Sequence, residues 1–298
     1  MSIAILCGGL GGSRCVDSLA RAAGPEAITA IGNVGDDLEI LGVHVSPDLD
    51  TVLYTLAGLL DEERGWGVRD ESYNALGMAR ELGGEGWFTL GDRDLGLHLV
   101  RTRWLREGVP LSQATRRLAE AFGVRVTLLP ATDEPLRTKI HTKDGELDFQ
   151  EWFVARGHRD EVTGLRYEGA EAARPAPGVL EAIESAELVV IAPSNPFVSV
   201  LPILAIPGIR DALAASHVAA ISPLVGGKAF RGPLAEMMVS LGHEASAAGV
   251  AALYGELLDV FVVAPGDQGP PGAVECEIDM VAPDRRAEAG RQLLEALL

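Results

Sequence analysis

The sequence predicts an α/β fold: a mostly parallel sheet in a three-layer core, interrupted by an inserted β-rich subdomain. Three observations predict it. The chain opens on an apolar run of strand length that enters the cluster Gly8-Gly9-Leu10-Gly11-Gly12, followed by apolar residues at Val16, Leu19, Ala20 and Ala23, the i, i+3, i+4, i+7 stripe of a packed helix. Residues 179–263 alternate helical segments with runs that are apolar throughout, as parallel strands covered on both faces are. Between these parts the alternation breaks, where residues 136–142 and 146–154 flank Lys143-Asp144-Gly145, a hairpin signal. The expected division is residues 1–135 and 174–298 for the two parts of the core and 136–173 for the insertion.

In the first unit Ser13 is placed to cap the helix, and Gly24-Pro25 stops it, because glycine accepts the left-handed conformation past a helix end and proline cannot continue one. Residues 28–31 complete a β-α-β crossover. Four glycines in five positions let the chain turn sharply and let backbone N–H groups approach an anion with no Cβ in the way, so a phosphate is the natural guest, although a tight turn without a ligand reads the same. The pattern matches neither standard fingerprint: G-x-G-x-x-G needs glycine at Arg14, and a P-loop needs Lys-Ser/Thr where the chain has Ser13-Arg14-Cys15.

Next come Gly35-Asp36-Asp37, an extended run at 41–45, and a helix opening on Ser46-Pro47 and carrying Leu49, Val52, Leu53, Leu56 and Leu60 at helical spacing. Asp48 and Asp50 fall in its first turn, where the helix dipole favours carboxylates, so capping explains them as well as chemistry does. Their company favours chemistry: Asp36, Asp37, Asp48 and Asp50 all follow strand ends, where α/β proteins build their sites and where carboxylates can hold Mg²⁺ against phosphate oxygens. Residues 87–90 read as a strand, after which Asp92 is placed to cap a helix that presents Arg93 at its start. His98 on that helix has no second histidine at metal-ligand spacing and reads as a packed residue. Two later loops, at 193–199 and 222–233, should open on the same sheet edge as the glycine turn.

Composition sets limits on function. With 298 residues and 47% hydrophobic content the chain can bury a large core. A net charge of -18 opposes nucleic acid and anionic lipid at long range, so a phosphorylated ligand must meet local cations or a metal. Three cysteines, Cys7, Cys15 and Cys276, show neither metal spacing nor an even disulfide set, and a cytoplasmic location with buried thiols is expected. The apolar stretch 197–209 is broken by Pro202 and Pro207, so no membrane span is expected.

Taken in order, the glycine turn, Ser46-Pro47-Asp48-Leu49-Asp50-Thr51-Val52-Leu53-Tyr54, Leu90-Gly91-Asp92-Arg93-Asp94, Pro193-Ser194-Asn195-Pro196, and Ser222-Pro223 through Gly232-Pro233 resemble the 2-phospho-L-lactate transferase family (CofD/FbiA) of coenzyme F420 biosynthesis. The resemblance implies a Rossmann-like fold and a Mg²⁺-dependent transfer. A phospholactyl or phosphoenolpyruvyl group would move from a guanosine diphosphate-linked donor to the deazaflavin FO, with GMP leaving. It implies that Asp50 and Arg93 contact FO and serve catalysis, and that Gly8, Gly9, Gly11, Gly12, Ser194, Asn195, Gly227 and Lys228 bind the nucleotide and its phosphates. Asp37 and Asp50 are the metal candidates, ahead of Asp36 and Asp48, and Arg14 and Arg231 are further cations near the donor. A homodimer acting on small molecules is expected. Two positions depart from the family pattern: Leu10 stands where many relatives have threonine, and Glu236 where relatives often have lysine. The rival class is a YvcK-like nucleotide-sugar-binding regulatory protein without catalysis.

Overall fold

The computed structural model describes residues 1–229, 232–277 and 279–298. Among these, seven strands form the central sheet: β1 (Ile3–Cys7), β2 (Ile28–Gly32), β3 (Thr127–Pro130), β4 (Leu188–Ile191), β5 (Val218–Ile221), β6 (Val260–Val263) and β7 (Val274–Glu275). Their spatial order is β7-β6-β5-β4-β1-β2-β3, and every neighbouring pair is parallel. The chain winds outward from β1 to β3, then returns across the sheet to β4 on the other side of β1. That reversal is a topological switch point, where an open α/β sheet parts its loops and leaves a crevice at its C-terminal edge.

The β1, β4 and β5 runs are buried at every residue, which is why they read as unbroken apolar segments rather than alternating ones. Each fully buried Ile, Leu or Val contributes about 1.5–3 kcal/mol by leaving water. Helix α1 (Gly9–Ala23) packs on β1 and β2 and, through its Asp17 and Ser18 face, on the C-terminal helix Arg286–Leu297. Gly290 of that last helix lies so near the Ser18 carbonyl that a Cβ would not fit. Three further helices follow in the first half of the chain: α2 (Pro47–Leu56), α3 (Asn74–Glu81) and α4 (Asp92–Arg106).

The insertion between β3 and β4 is a three-stranded antiparallel sheet with Arg137–Thr142 at its centre, flanked by Gly145–Asp148 and Gly164–Glu168. Its Leu136, Ile140, Phe149 and Trp152 join the same apolar cluster as the central sheet.

Several local expectations change. Residues 87–90 form no strand: Trp87, Phe88 and Leu90 pack instead on a hairpin of Leu38–Ile40 with Val43–Val45, which satisfies their apolar surface without strand pairing. Helix α1 starts at Gly9, inside the glycine cluster, so Ser13 is not its cap; the Ser13 hydroxyl donates back to the Leu10 carbonyl at 2.9 Å. Asp92 does not cap its own helix either. Its carboxylate accepts from the Asn74 and Ala75 amides at the start of α3, while Glu71 accepts from the Arg93 and Asp94 amides at the start of α4. All three cysteines are unpaired and buried. Among the described residues no helix is long and apolar enough to cross a membrane.

Candidate functional site

At the switch point a cleft of about 890 Å³ opens between the loops that follow β1 and β4. One wall is the first turn of α1, from Gly8 to Gly11; the facing wall is Pro193, Ser194 and Asn195. These loops are in close contact, and the contact accounts for two of the glycines. A Cβ on Gly11 would stand 2.5 Å from the Pro193 carbonyl oxygen, and one on Gly8 would stand 2.7 Å from Ser199 Cβ and closer still to the Asp48 carboxylate. The Gly8 amide donates to Ser194 Oγ at 3.2 Å, and the Gly9 amide to Asp48 Oδ1 at 2.7 Å. The following first-turn amides, of Leu10 and Gly11, have no i−4 carbonyl to serve within the helix, and the positive end of the helix dipole faces the cleft with them.

Asn33, just past β2, organises the acidic side. Its Nδ2 donates to Asp48 Oδ2 at 2.9 Å, to the Val198 carbonyl at 3.0 Å and to Asp36 Oδ1 at 3.3 Å, while its Oδ1 accepts from the Gly35 amide at 2.9 Å. Asp36 and Asp48 both line the cleft. Burial pushes the Asp48 carboxyl up to about 6, against the Asn33 and Gly9 hydrogen bonds that favour its charge. Burial, joined by the charge of Asp48, pushes Asp36 well above the usual carboxylate range. Two desolvated carboxylates sharing one amide donor and facing open space form an arrangement that a cation would stabilise. Among the described residues no three His, Cys, Asp or Glu side chains converge as a complete metal cage. Two carboxylates facing one space are the number of protein ligands that Mg²⁺ commonly uses, the rest of its shell coming from water and phosphate oxygens.

Asp37 and Asp50, the two metal candidates from sequence, are turned into the protein. Asp37 Oδ2 accepts from Ser46 Oγ at 3.0 Å and meets His44 Nε2 at 3.1 Å; burial works against the charged His44 ring, but the hydrogen bonds to Asp37 and Glu39 and the Asp37 charge together raise its pKa. Asp50 is gripped by both terminal nitrogens of Arg101, one of them at 2.9 Å, and neither side chain has more than a few per cent of its surface exposed. Behind this pair, His98 Nδ1 lies 3.8 Å from Asp50 and its Nε2 2.9 Å from Asp94, which accepts from the Tyr54 hydroxyl at 2.5 Å. Arg93 is exposed at the start of α4 and donates to the Arg69 carbonyl at 2.9 Å. Neither Asp50 nor Arg93 lines the cleft.

Of the other sequence candidates, Gly8, Gly9, Gly11, Ser194, Asn195 and Arg14 converge on the cleft. Gly12 sits behind its wall, where a Cβ would stand 2.7 Å from Ser194 Oγ. Asn195 Oδ1 accepts from the Phe197 amide at 3.0 Å and so starts the helical turn that follows β4. Gly227 and Lys228 are exposed at the turn of a hairpin, Leu224–Val225 with Lys228–Ala229, whose flanks Pro223 and Ala229 reach the cleft. Arg231 lies outside the described residues. The sequence reading missed Asn33 and Arg101. Asn33 carried a signal, a polar residue at the C-terminal end of an apolar strand beside the switch point; Arg101 carried none, being one of several arginines on a helix whose apolar stripe is weak.

Aromatic and apolar groups complete the cleft: Trp66 and Phe88 from the segments before α4, and Phe149 and Phe153 from the insertion, these two stacked with centroids 5.3 Å apart. The space can thus take planar ring systems beside an anionic group.

Comparison with known proteins gives this arrangement its family. A phosphoenolpyruvate transferase of Streptomyces griseus is 43% identical, covering 99% of this chain and 98% of its own. A 2-phospho-L-lactate transferase of Methanospirillum hungatei is 36% identical, covering 99% and 100%. The crystal structure of a UPF0052-family protein from Bacillus halodurans shares the fold, with TM-score 0.57 at 18% identity over 90% of this chain and 81% of that one. The model of the family described as 2-phospho-L-lactate transferase CofD matches residues 3–294, and the chain belongs to that family.

Proposed function

We propose that the protein transfers a three-carbon phospho-acid group from a guanosine diphosphate-linked donor to the deazaflavin FO, releasing GMP, in coenzyme F420 biosynthesis. The observation that carries this reading is the convergence, at the switch point, of the first turn of α1 with the Asp36–Asp48 pair around a cleft lined by aromatic rings. Relatives named phosphoenolpyruvate transferase match at 42–44% identity and those named 2-phospho-L-lactate transferase at 36–38%, which favours enolpyruvate as the acid.

In this reaction the acceptor's hydroxyl oxygen forms a bond to the phosphorus that bears the acid. The bridging P–O bond breaks, its electron pair leaves with GMP, and the hydroxyl proton passes to water. Such a transfer depends on positioning and charge neutralisation more than on a protein nucleophile. The first-turn amides of α1, with Ser194 and Asn195, hold the donor's phosphates and nucleotide. Asp36 and Asp48 hold Mg²⁺, which supplies neutralisation of the diphosphate when bound. The family resemblance assigns Asp50 and Arg93 to FO; in this structure Arg101 holds Asp50 behind the cleft and Arg93 stands outside it. Lys228 and Gly227 meet the nucleotide only if their hairpin folds inward.

Ligand-dependent melting tests the reading. A ligand that binds only the native state raises stability by about 3 kcal/mol at a hundredfold excess over Kd. GDP and FO should each raise the melting temperature, while NAD should not. A response to a UDP-sugar alone would replace the transferase with a nucleotide-sugar-binding protein.

A further inference from the structure

Arg14, the arginine of the glycine-rich helix that lines the cleft, is already engaged. It stands on the second turn of α1, lines the cleft, and donates from Nη2 to Glu62 Oε2 at 2.9 Å, while its Nε is buried with no hydrogen-bond partner. Glu62 belongs to a turn fixed by its neighbour Asp61, which accepts from the Glu63 and Arg64 amides and from Arg64 Nε. The other Glu62 oxygen, Oε1, accepts from Arg286 Nη2 at 2.6 Å.

The two arginines are unequal. Arg286, at the start of the C-terminal helix, is 1% exposed. It donates from Nε to the Met280 carbonyl at 2.9 Å, from Nη2 to the Val281 carbonyl at 3.3 Å and from Nη1 to Asp17 Oδ2 at 3.1 Å. Met280 and Val281 are themselves part of the cleft wall. Arg286 is thus fixed from three directions, whereas Arg14 is held by one carboxylate and borders open space. A carboxylate shared between them keeps one arginine when it gives up the other, so releasing Arg14 strands no buried charge.

We propose that Glu62 is a displaceable counter-ion. It parks Arg14 at the cleft wall until a phosphate of the donor takes the guanidinium over, and Arg286 is the positioning residue that makes the exchange possible by keeping Glu62 paired afterwards. This rests on the reading of the cleft as the donor's diphosphate site. Guanidinium suits the exchange because it can pass its planar N–H pair from carboxylate to phosphate without changing its protonation.

Calorimetric binding of GDP, with donor kinetics alongside, tests it. Arg14→Met should weaken GDP binding by about tenfold, on the scale of one charge-assisted contact. Glu62→Gln, which keeps the shape but removes the competing charge, should tighten GDP binding by about threefold or more. Arg286→Met leaves Glu62 with Arg14 alone. It should weaken GDP by about tenfold and raise donor KM while kcat stays within about twofold, and Arg286→Lys should restore most of the loss. The double variant Glu62→Gln/Arg286→Met should bind GDP at least as well as the wild type, because the grip that the single variant strengthened is gone. A purely structural tie predicts the opposite: weaker binding in Glu62→Gln and a double variant worse than either single one. If Arg286→Met does not fold, Glu62→Gln decides alone, and unchanged or weaker GDP binding overturns the proposal. Normal GDP binding by Arg14→Met removes this inference while leaving the cleft's assignment standing; absence of GDP binding by the wild type removes both.

Discussion

Replacing Arg101 with leucine asks how the carboxylates behind the cleft are held in place. The side chain is 1% exposed, and its two terminal nitrogens both meet Asp50, whose remaining neighbours are the Ser46 amide at 3.3 Å and His98 at 3.8 Å. Burial works against the Arg101 charge, but the charge and hydrogen bonds of Asp50, joined by Tyr54 and Asp37, keep its pKa raised, so the arginine is ionised at every accessible pH. Removing one partner of such a pair leaves an uncompensated buried charge, which costs about 3–5 kcal/mol. For a chain of this size, at roughly 2–4 °C per kcal/mol, the melting temperature of Arg101→Leu should fall by about 6–20 °C at pH 8. The penalty belongs to the unpaired carboxylate, so it should shrink in the double variant Asp50→Asn/Arg101→Leu. Urea unfolding of the wild type, the two single variants and the double variant reads this directly. A loss below about 1 kcal/mol at pH 8, or no relief from Asp50→Asn, refutes the argument that Asp50 is anchored by Arg101.

Three other outcomes are expected. The raised Asp48 pKa means that the folded protein binds this proton more tightly than the unfolded chain does, so the metal-free protein is most stable below about pH 4 with respect to this group and loses that contribution as pH rises through about 6. The loss is about 2–3 kcal/mol, and Asp48→Asn should flatten the fall in unfolding free energy between about pH 4 and 7. Mg²⁺ should raise the melting temperature more at pH 8 than at pH 5, and EDTA should abolish turnover until Mg²⁺ is restored; equal Mg²⁺ shifts in the wild type and Asp48→Asn would move the cation away from this pair. Gly11→Ala, whose Cβ would stand 2.5 Å from the Pro193 carbonyl, should cost about 1–3 kcal/mol by urea unfolding and weaken GDP binding with it.

The fold was readable where burial dictates composition. The β1, β4 and β5 strands lie inside the sheet, so every residue had to be apolar, and the glycine turn had to follow the first of them. It was not readable where apolar surface is satisfied without strand pairing, as at Trp87 and Phe88, or where capping carboxylates are exchanged between helices, as between Asp92 and Glu71. Within the site, spacing showed that four aspartates follow strand ends but not which way each turns. That depends on partners far along the chain: Asn33 draws Asp36 and Asp48 to the cleft, while Arg101 and His44 draw Asp50 and Asp37 away from it. Arg286 reaches the cleft wall through contacts 224 and 269 residues distant in sequence, which no local pattern encodes.

The central claim is that this cleft joins a guanylylated donor to a deazaflavin acceptor. The measurement that meets it most directly is chromatography of the purified protein incubated with FO, Mg²⁺ and guanylylated phosphoenolpyruvate or phospholactate. The account predicts GMP and a more anionic deazaflavin appearing one for one, faster with the enolpyruvate donor. GMP without a new deazaflavin would contradict the acceptor, and the absence of both products with either donor would contradict the transfer itself.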